Sequence, residues 1–219
     1  MHRMLMLDLD GTLVDTVDDL AAAVNAVLRP RGLKEATRIE VRGMIGNGAA
    51  VLVSSIFAAR AEHADDAAQT EFLDFYTEHS AVMSQPFPGA VSALTAMAEN
   101  GWHFAVCTNK PEKAARKLIG SVGLAPWCTA IGGGDSFPFR KPDPAHLLAT
   151  IDAAGGVPTS TIMIGDHAND VLAATGAGVP CIFAGWGYGP AEMAAGAVRV
   201  ARHFDEVEGL CEQLLPRQP

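Results

Sequence analysis

The feature that most constrains this 219-residue chain is a set of short apolar runs that stop abruptly. The first, Arg3 to Leu9, ends among acidic residues and Gly11. Later runs are His103 to Cys107, Thr129 to Ile131, Thr161 to Ile164, Val179 to Phe183 and, more weakly, Val198 to Ala201. Runs of this length with polar or glycine boundaries read as buried strands. Helical patterns lie between them. Val91, Leu94 and Met97 keep helical spacing, Pro111 suits a first helical position, and Gly123 suits a helix end. Strands that alternate with helices predict an α/β fold, a parallel sheet covered by helices on both faces.

One stretch breaks the alternation. Between Thr16 and Met83 the signals are all helical. Leu20, Val24 and Val27 share a face that ends near Pro30 and Gly32. Thr37-Arg38-Ile39-Glu40 has the form of a capping box, in which hydroxyl and carboxylate satisfy the free N–H groups of a helix start. Phe72, Phe75, Tyr76 and His79 form a further stripe, and Pro86-Phe87-Pro88-Gly89 marks the return of the main pattern. The expectation is a core built from residues 1–15 and 84–219, with a helical module at 16–83 inserted after the first strand.

Composition narrows the function classes. Hydrophobic residues make up 49%, which supports a core of ordinary size, and charged residues only 19%, which argues against disorder. A formal net charge of -9 leaves no broad basic surface, so a nucleic-acid partner is not expected. Any anion site must be local. The longest apolar stretch, Gly48 to Ala59, reads as a core helix rather than a membrane span, and no secretory leader is evident, so the expected compartment is the cytoplasm. Cys107, Cys128, Cys181 and Cys211 are scattered without a C-x-x-C and read as reduced thiols.

The chemistry sits where the runs stop. Asp8 and Asp10 are two apart, so on a strand they point the same way. They would converge at the carboxyl edge of a parallel sheet, where ligands bind in such folds. Gly11 permits a tight turn directly afterwards. A second cluster, Asp166-His167-Ala168-Asn169-Asp170, closes a later strand. Carboxylates gathered around one point ask for a hard divalent cation, and magnesium suits them. Thr108 offers a hydroxyl before a helix start, a natural anion site, and Lys141, held extended by Pro142, offers a counter-charge.

These four segments resemble, in order, the motifs of the haloacid dehalogenase superfamily: Asp8 to Thr16, Cys107 to Lys110, Lys141 to Pro144 and Gly165 to Asp170. The Val41 to Gly48 segment and Thr108 to Pro111 are similar to the phosphoglycolate phosphatase group. The resemblance implies a Rossmann-like core with an inserted α-helical cap and a magnesium-dependent phosphatase. It makes Asp8 the nucleophile that carries the phosphoryl group and Asp10 the general acid and base. It implies that Mg2+ is held by Asp8, the Asp10 carbonyl and Asp166. Thr108 and the Asn109 N–H would hold phosphoryl oxygens, Lys141 would neutralise charge near Asp8, and Asp170 would orient Lys141 or a metal-bound water. Arg42 is the candidate for a substrate carboxylate. His167 departs from the pattern, which usually has Ser there. The expected substrate is a small phosphorylated metabolite, 2-phosphoglycolate first, with sugar, amino-sugar or nucleotide phosphates, a phosphomutase and a dehalogenase as alternatives. Monomer and homodimer both remain open.

Overall fold

The structure is a computed structural model, and residues 2–217 are described. Along the chain the elements are β1 (Arg3–Leu7), β2 (Val14–Asp15), α1 (Val17–Leu28), α2 (Arg38–Arg42), α3 (Ala49–Ala58), α4 (Asp66–His79) and β3 (Gln85–Pro86). There follow α5 (Ala90–Glu99), β4 (Trp102–Cys107), α6 (Glu112–Ser121), β5 (Cys128–Gly132), α7 (Pro144–Ala153), β6 (Thr161–Gly165), α8 (Ala168–Ala177), β7 (Cys181–Ala184), β8 (Arg199–Ala201) and α9 (Val207–Leu214). The main sheet has the order β5-β4-β1-β6-β7-β8, and every pairing in it is parallel. The α/β class expected from the alternation is the one observed.

The central strand shows why it reads as an unbroken apolar run. Leu5 and Leu7 pack on one face with Leu94 and Met97 of α5 and Leu118 of α6. Met4 and Met6 pack on the other with Leu147 of α7 and Val171 of α8. With both faces covered, each successive residue needs an apolar side chain. Full burial of a side chain such as Leu7 contributes roughly 1.5–3 kcal/mol.

A second apolar cluster belongs to the helical segment between β2 and β3. It includes Leu20, Val24 and Val27 of α1, Leu52 and Ile56 of α3, and Phe72 and Tyr76 of α4. Local signals set the helix starts. The Glu40 N–H donates to Thr37 Oγ1 at 3.2 Å while the Thr37 N–H donates to Glu40 Oε2 at 2.8 Å, and Asp65 Oδ1 caps α4 through the Ala68 N–H at 2.7 Å. The α4 stripe divides: Phe72 and Tyr76 are buried, whereas His79 is exposed and stacks on the half-buried Phe75 at 4.3 Å. Pro111 also differs from expectation. Its extended ψ of 137° makes it the cap residue, and the helix begins at Glu112.

The two chain crossings into and out of this segment are tied together. β2 and β3 pair antiparallel, Val14 opposite Pro86 and Asp15 opposite Gln85. Two-residue strands carry too little pattern to be read in advance. Buried Asp19 accepts from the N–H groups of Val82 at 3.1 Å, Met83 at 3.0 Å and Ser84 at 2.9 Å, and from the Ser84 hydroxyl at 2.6 Å. A carboxylate that accepts several charge-assisted hydrogen bonds holds its segment firmly. Among the described residues no helix is long and apolar enough to cross a membrane.

Candidate active site

Asp8 follows β1, and its N–H still bonds to Ile164 O at 2.9 Å, so the carboxylate is aimed from the ladder itself. The chain then turns sharply, with the Leu13 and Val14 N–H groups both donating to Leu9 O. Gly11 makes this turn at a φ of 86°, and a Cβ there would stand 2.5 Å from Asp166 Oδ2 and 2.7 Å from the Tyr188 ring. The position excludes other residues on both conformational and steric grounds.

Two lysines divide the two aspartates. Lys141 Nζ stands 2.9 Å from Asp8 Oδ1 and 2.6 Å from Asp170 Oδ1, and donates to Cys107 O at 2.6 Å. Lys110 Nζ brackets Asp10, with Oδ1 at 2.8 Å and Oδ2 at 3.0 Å, and also bonds the Tyr76 hydroxyl. All of these groups except Asp10 are nearly or fully buried. Burial pushes the Asp8 carboxyl up to about 7; Lys141 opposes this, while the Asp170 and Asp166 carboxylates add to it. Against its own burial, Lys141 is held charged by Asp170 and Asp8, which raise its pKa.

Asp166 is fully buried and well partnered. Oδ1 accepts from Thr12 Oγ1 at 3.0 Å, and Oδ2 accepts from the N–H groups of Tyr188 at 2.7 Å and Gly189 at 3.3 Å. Asp170 accepts from the His167 N–H at 3.0 Å as well as from Lys141. Ligand atoms of Asp166, His167 and Asp170 lie within 4.8 Å of one another. Asp8 Oδ1 is buried and accepts no well-aligned hydrogen bond despite its ion pair. Three buried carboxylates against one ammonium leave excess negative charge, and their oxygens fit a hard divalent cation such as magnesium.

The segment after β4 completes the floor. The Thr108 N–H bonds Gly132 O at 2.9 Å, and Thr108 Oγ1 accepts from the Lys110 N–H at 3.2 Å. The Asn109 side-chain amide donates to Gly46 O at 3.0 Å and Lys141 O at 2.9 Å, so it fastens the α2–α3 loop to the main sheet. A cavity of about 40 Å3 lies between this floor and the helical segment. Asp8, Asp10, Thr108, Asn109 and Lys110 line it below; Leu20, Ile45, Leu52, Phe72 and Tyr76 line it above.

The structure thus brings Asp8, Asp10, Gly11, Thr108, Asn109, Lys141, Asp166 and Asp170 to one sheet edge. Arg42 is the exception. Its exposed guanidinium donates to Gly187 O at 2.6 Å and lies 5.6 Å from the Tyr188 ring, outside the cavity lining. Arg42, expected to meet a substrate carboxylate, is thus not among the residues that line the cavity. The short helix α2 directs it along the outside of the module, onto the loop after β7. Lys110 and Tyr76 are the site residues missed by sequence reasoning. Lys110 lies two residues after Thr108, and the signal that it matters is its place directly before Pro111, the cap residue of α6.

Carboxylates, buried ammonium groups and a helix-covered cavity at the carboxyl edge of a parallel sheet define a hydrolase that works on an anionic ester. The haloacid dehalogenase-like hydrolase family matches residues 5–184, and the chain belongs to it. The phosphoglycolate phosphatase of Agrobacterium fabrum is 41% identical over 189 residues, covering 84% of this chain and 81% of its own. That of Rhodospirillum rubrum is 38% identical, covering 100% and 93%. Among solved structures, a predicted phosphoglycolate phosphatase from Haemophilus somnus superposes with a TM-score of 0.87 at 28% identity, covering 95% of this chain and 97% of its own. The protein is thus a phosphatase of the haloacid dehalogenase type, phosphoglycolate phosphatase-like by its relatives.

Proposed function

We propose that this protein is a cytoplasmic, magnesium-dependent phosphatase that hydrolyses 2-phosphoglycolate through an aspartyl-phosphate on Asp8, with residues 16–83 as the cap. The observation that carries the reading is the pairing of Asp8 with Lys141 and of Asp10 with Lys110 at the floor of one cavity. One carboxylate is fixed by the main sheet for attack, and the other stands two residues on for proton transfer.

Asp8 attacks phosphorus in line, and the ester oxygen leaves. Asp10 delivers a proton to that oxygen, then takes one from the water that attacks the aspartyl-phosphate. Lys141 remains charged beside Asp8 and offsets the phosphoryl charge. The Thr108 hydroxyl and the Asn109 N–H hold phosphoryl oxygens. Asp8, the Asp10 carbonyl and Asp166 would hold magnesium, which would supply Lewis-acid neutralisation of the phosphoryl charge. The apolar roof keeps bulk water away from the reacting atoms. Because phosphoryl transfer needs mainly positioning and electrostatic support, this set is sufficient in kind.

The test is hydrolysis of 2-phosphoglycolate by the purified protein with magnesium, beside Asp8→Asn and a chelated sample. Release of phosphate that disappears in both controls is expected. Turnover retained by Asp8→Asn would remove the nucleophile assignment.

A further inference from the structure

The roof of the cavity is almost wholly apolar. Leu20, Ile45, Leu52 and Phe72 offer no hydrogen bond, and Tyr76 is the one side chain of the helical module there with a polar head. A sugar or nucleoside leaving group, with its several hydroxyls, would lose water without finding partners, at a cost of roughly 1–3 kcal/mol for each stranded group. Among the residues lining the cavity, Lys110 carries the one cationic head.

Lys110 and Tyr76 come from opposite sides of the cavity and meet. The ammonium donates to the Tyr76 oxygen and lies 4.1 Å from the ring centroid. The phenol is 2% exposed, and among the described residues its oxygen receives Lys110 but its own hydrogen reaches no acceptor. Burial, with the Asp10 and Asp19 carboxylates, raises its pKa well above the ordinary value, so that hydrogen stays on. A buried hydroxyl that donates to nothing is uncommon and points to an acceptor arriving from outside. Asp10 now occupies the ammonium with both oxygens. To protonate a leaving oxygen it must turn one of them away, which releases an N–H beside the phenol.

We propose that Lys110 and Tyr76 together read a carboxylate on the leaving alcohol, which restricts good substrates to short phosphorylated 2-hydroxy acids. An N–H and an O–H side by side match the two oxygens of a carboxylate, and a cation makes both bonds stronger. Ile45, Leu52 and Phe72 limit how much carbon can stand between that carboxylate and the phosphate. This assignment rests on the phosphatase reading above and adds the chemistry of the substrate to it.

Calorimetry in an Asp8→Asn background, with magnesium, separates binding from turnover. The probes are 2-phosphoglycolate and 2-hydroxyethyl phosphate, which differ in the carboxylate alone. The Asp8→Asn protein is expected to bind the acid at least about tenfold more tightly. Adding Lys110→Met should erase that preference. Adding Tyr76→Phe, which removes one oxygen and preserves the packing, should cut it to roughly a third. Equal weakening of both ligands by Lys110→Met would overturn the proposal and leave Lys110 as a counter-ion for Asp10. An undiminished preference in Tyr76→Phe would remove the phenol from recognition and overturn the paired reading. If the wild-type protein hydrolyses neither ester while the binding preference and its loss are observed, the phosphatase reading fails and the carboxylate site stands.

Discussion

Lys141 Nζ lies 2.6 Å from Asp170 Oδ1 and 2.9 Å from Asp8 Oδ1, with the ammonium group buried between the two carboxylates. Removing one partner from a buried ion cluster strands the others, at a cost of about 3–5 kcal/mol. Lys141→Met should therefore lower both activity and stability. Phosphatase turnover is expected to fall about a thousandfold, since one electrostatic donor of this type supplies roughly 10²–10³. Thermal unfolding should shift down by several degrees. Wild-type turnover in a folded Lys141→Met protein would contradict the role of the ammonium.

Gly11→Ala should damage the cation site in particular. The added carbon would press on Asp166 Oδ2 and the Tyr188 ring at a left-handed φ. Backbone strain of this kind costs on the order of 1–3 kcal/mol. The expected result is a magnesium requirement shifted upward at least several-fold, with turnover partly recovered at high magnesium. A magnesium titration curve that matches the wild type would show that Asp166 tolerates the displacement.

Arg42→Ala should act on cap closure rather than on substrate choice. The guanidinium joins α2 to the 185–189 loop, whose N–H groups in turn hold Asp166. A part-buried contact of this kind near the surface contributes roughly 0.2–1 kcal/mol, so kcat/KM should fall by no more than about fivefold. The fall should be equal for 2-phosphoglycolate and 2-hydroxyethyl phosphate. A loss confined to the acid would return Arg42 to carboxylate recognition.

His146 should make stability depend on pH. Its ring is fully buried, Nδ1 accepts from the Lys141 N–H at 3.2 Å, and Nε2 has no hydrogen-bond partner. Burial, with the nearby Lys141 charge, pushes its pKa down to about 4 from an ordinary 6.5. Between those values the unfolded chain takes up a proton that the native state refuses. Stability is therefore complete above about pH 6.5 and falls as pH drops toward 4, by at most about 1.4 kcal/mol per unit from this group. Unfolding temperatures of the wild type and His146→Leu at pH 7.5 and 5.0 test this. The wild type should lose more on acidification, and equal losses would rule His146 out as the source.

Much of the fold was legible because its signals are local. Residues 4 to 7 alternate between two covered faces, so β1 had to be apolar throughout, and the run could only be a central strand. The capping box at Thr37 and Glu40 is complete within four residues. Asp8 and Asp10 were readable as an acidic pair at the end of the first apolar run, although β1 stops at Leu7 and the turn at Leu9, not strand period, places Asp10. The strands β2 and β3 were not, because two residues hold no period and their pairing joins positions 14–15 to 85–86.

The sequence by itself determined which residue types stand at the carboxyl ends of the strands, and so that an acidic, phosphate-handling edge would form. The tertiary structure decided where the long side chains end. Lys110 meets Tyr76 across 34 residues, and Arg42 meets Gly187 across 145, through the docking of a helical module on a sheet. Strand period sets the direction of a Cβ, but the head of a lysine or arginine lies several rotatable bonds further out. Its position is settled by burial and by the partner it finds, and that is why Lys110 turns into the cavity while Arg42 remains outside it.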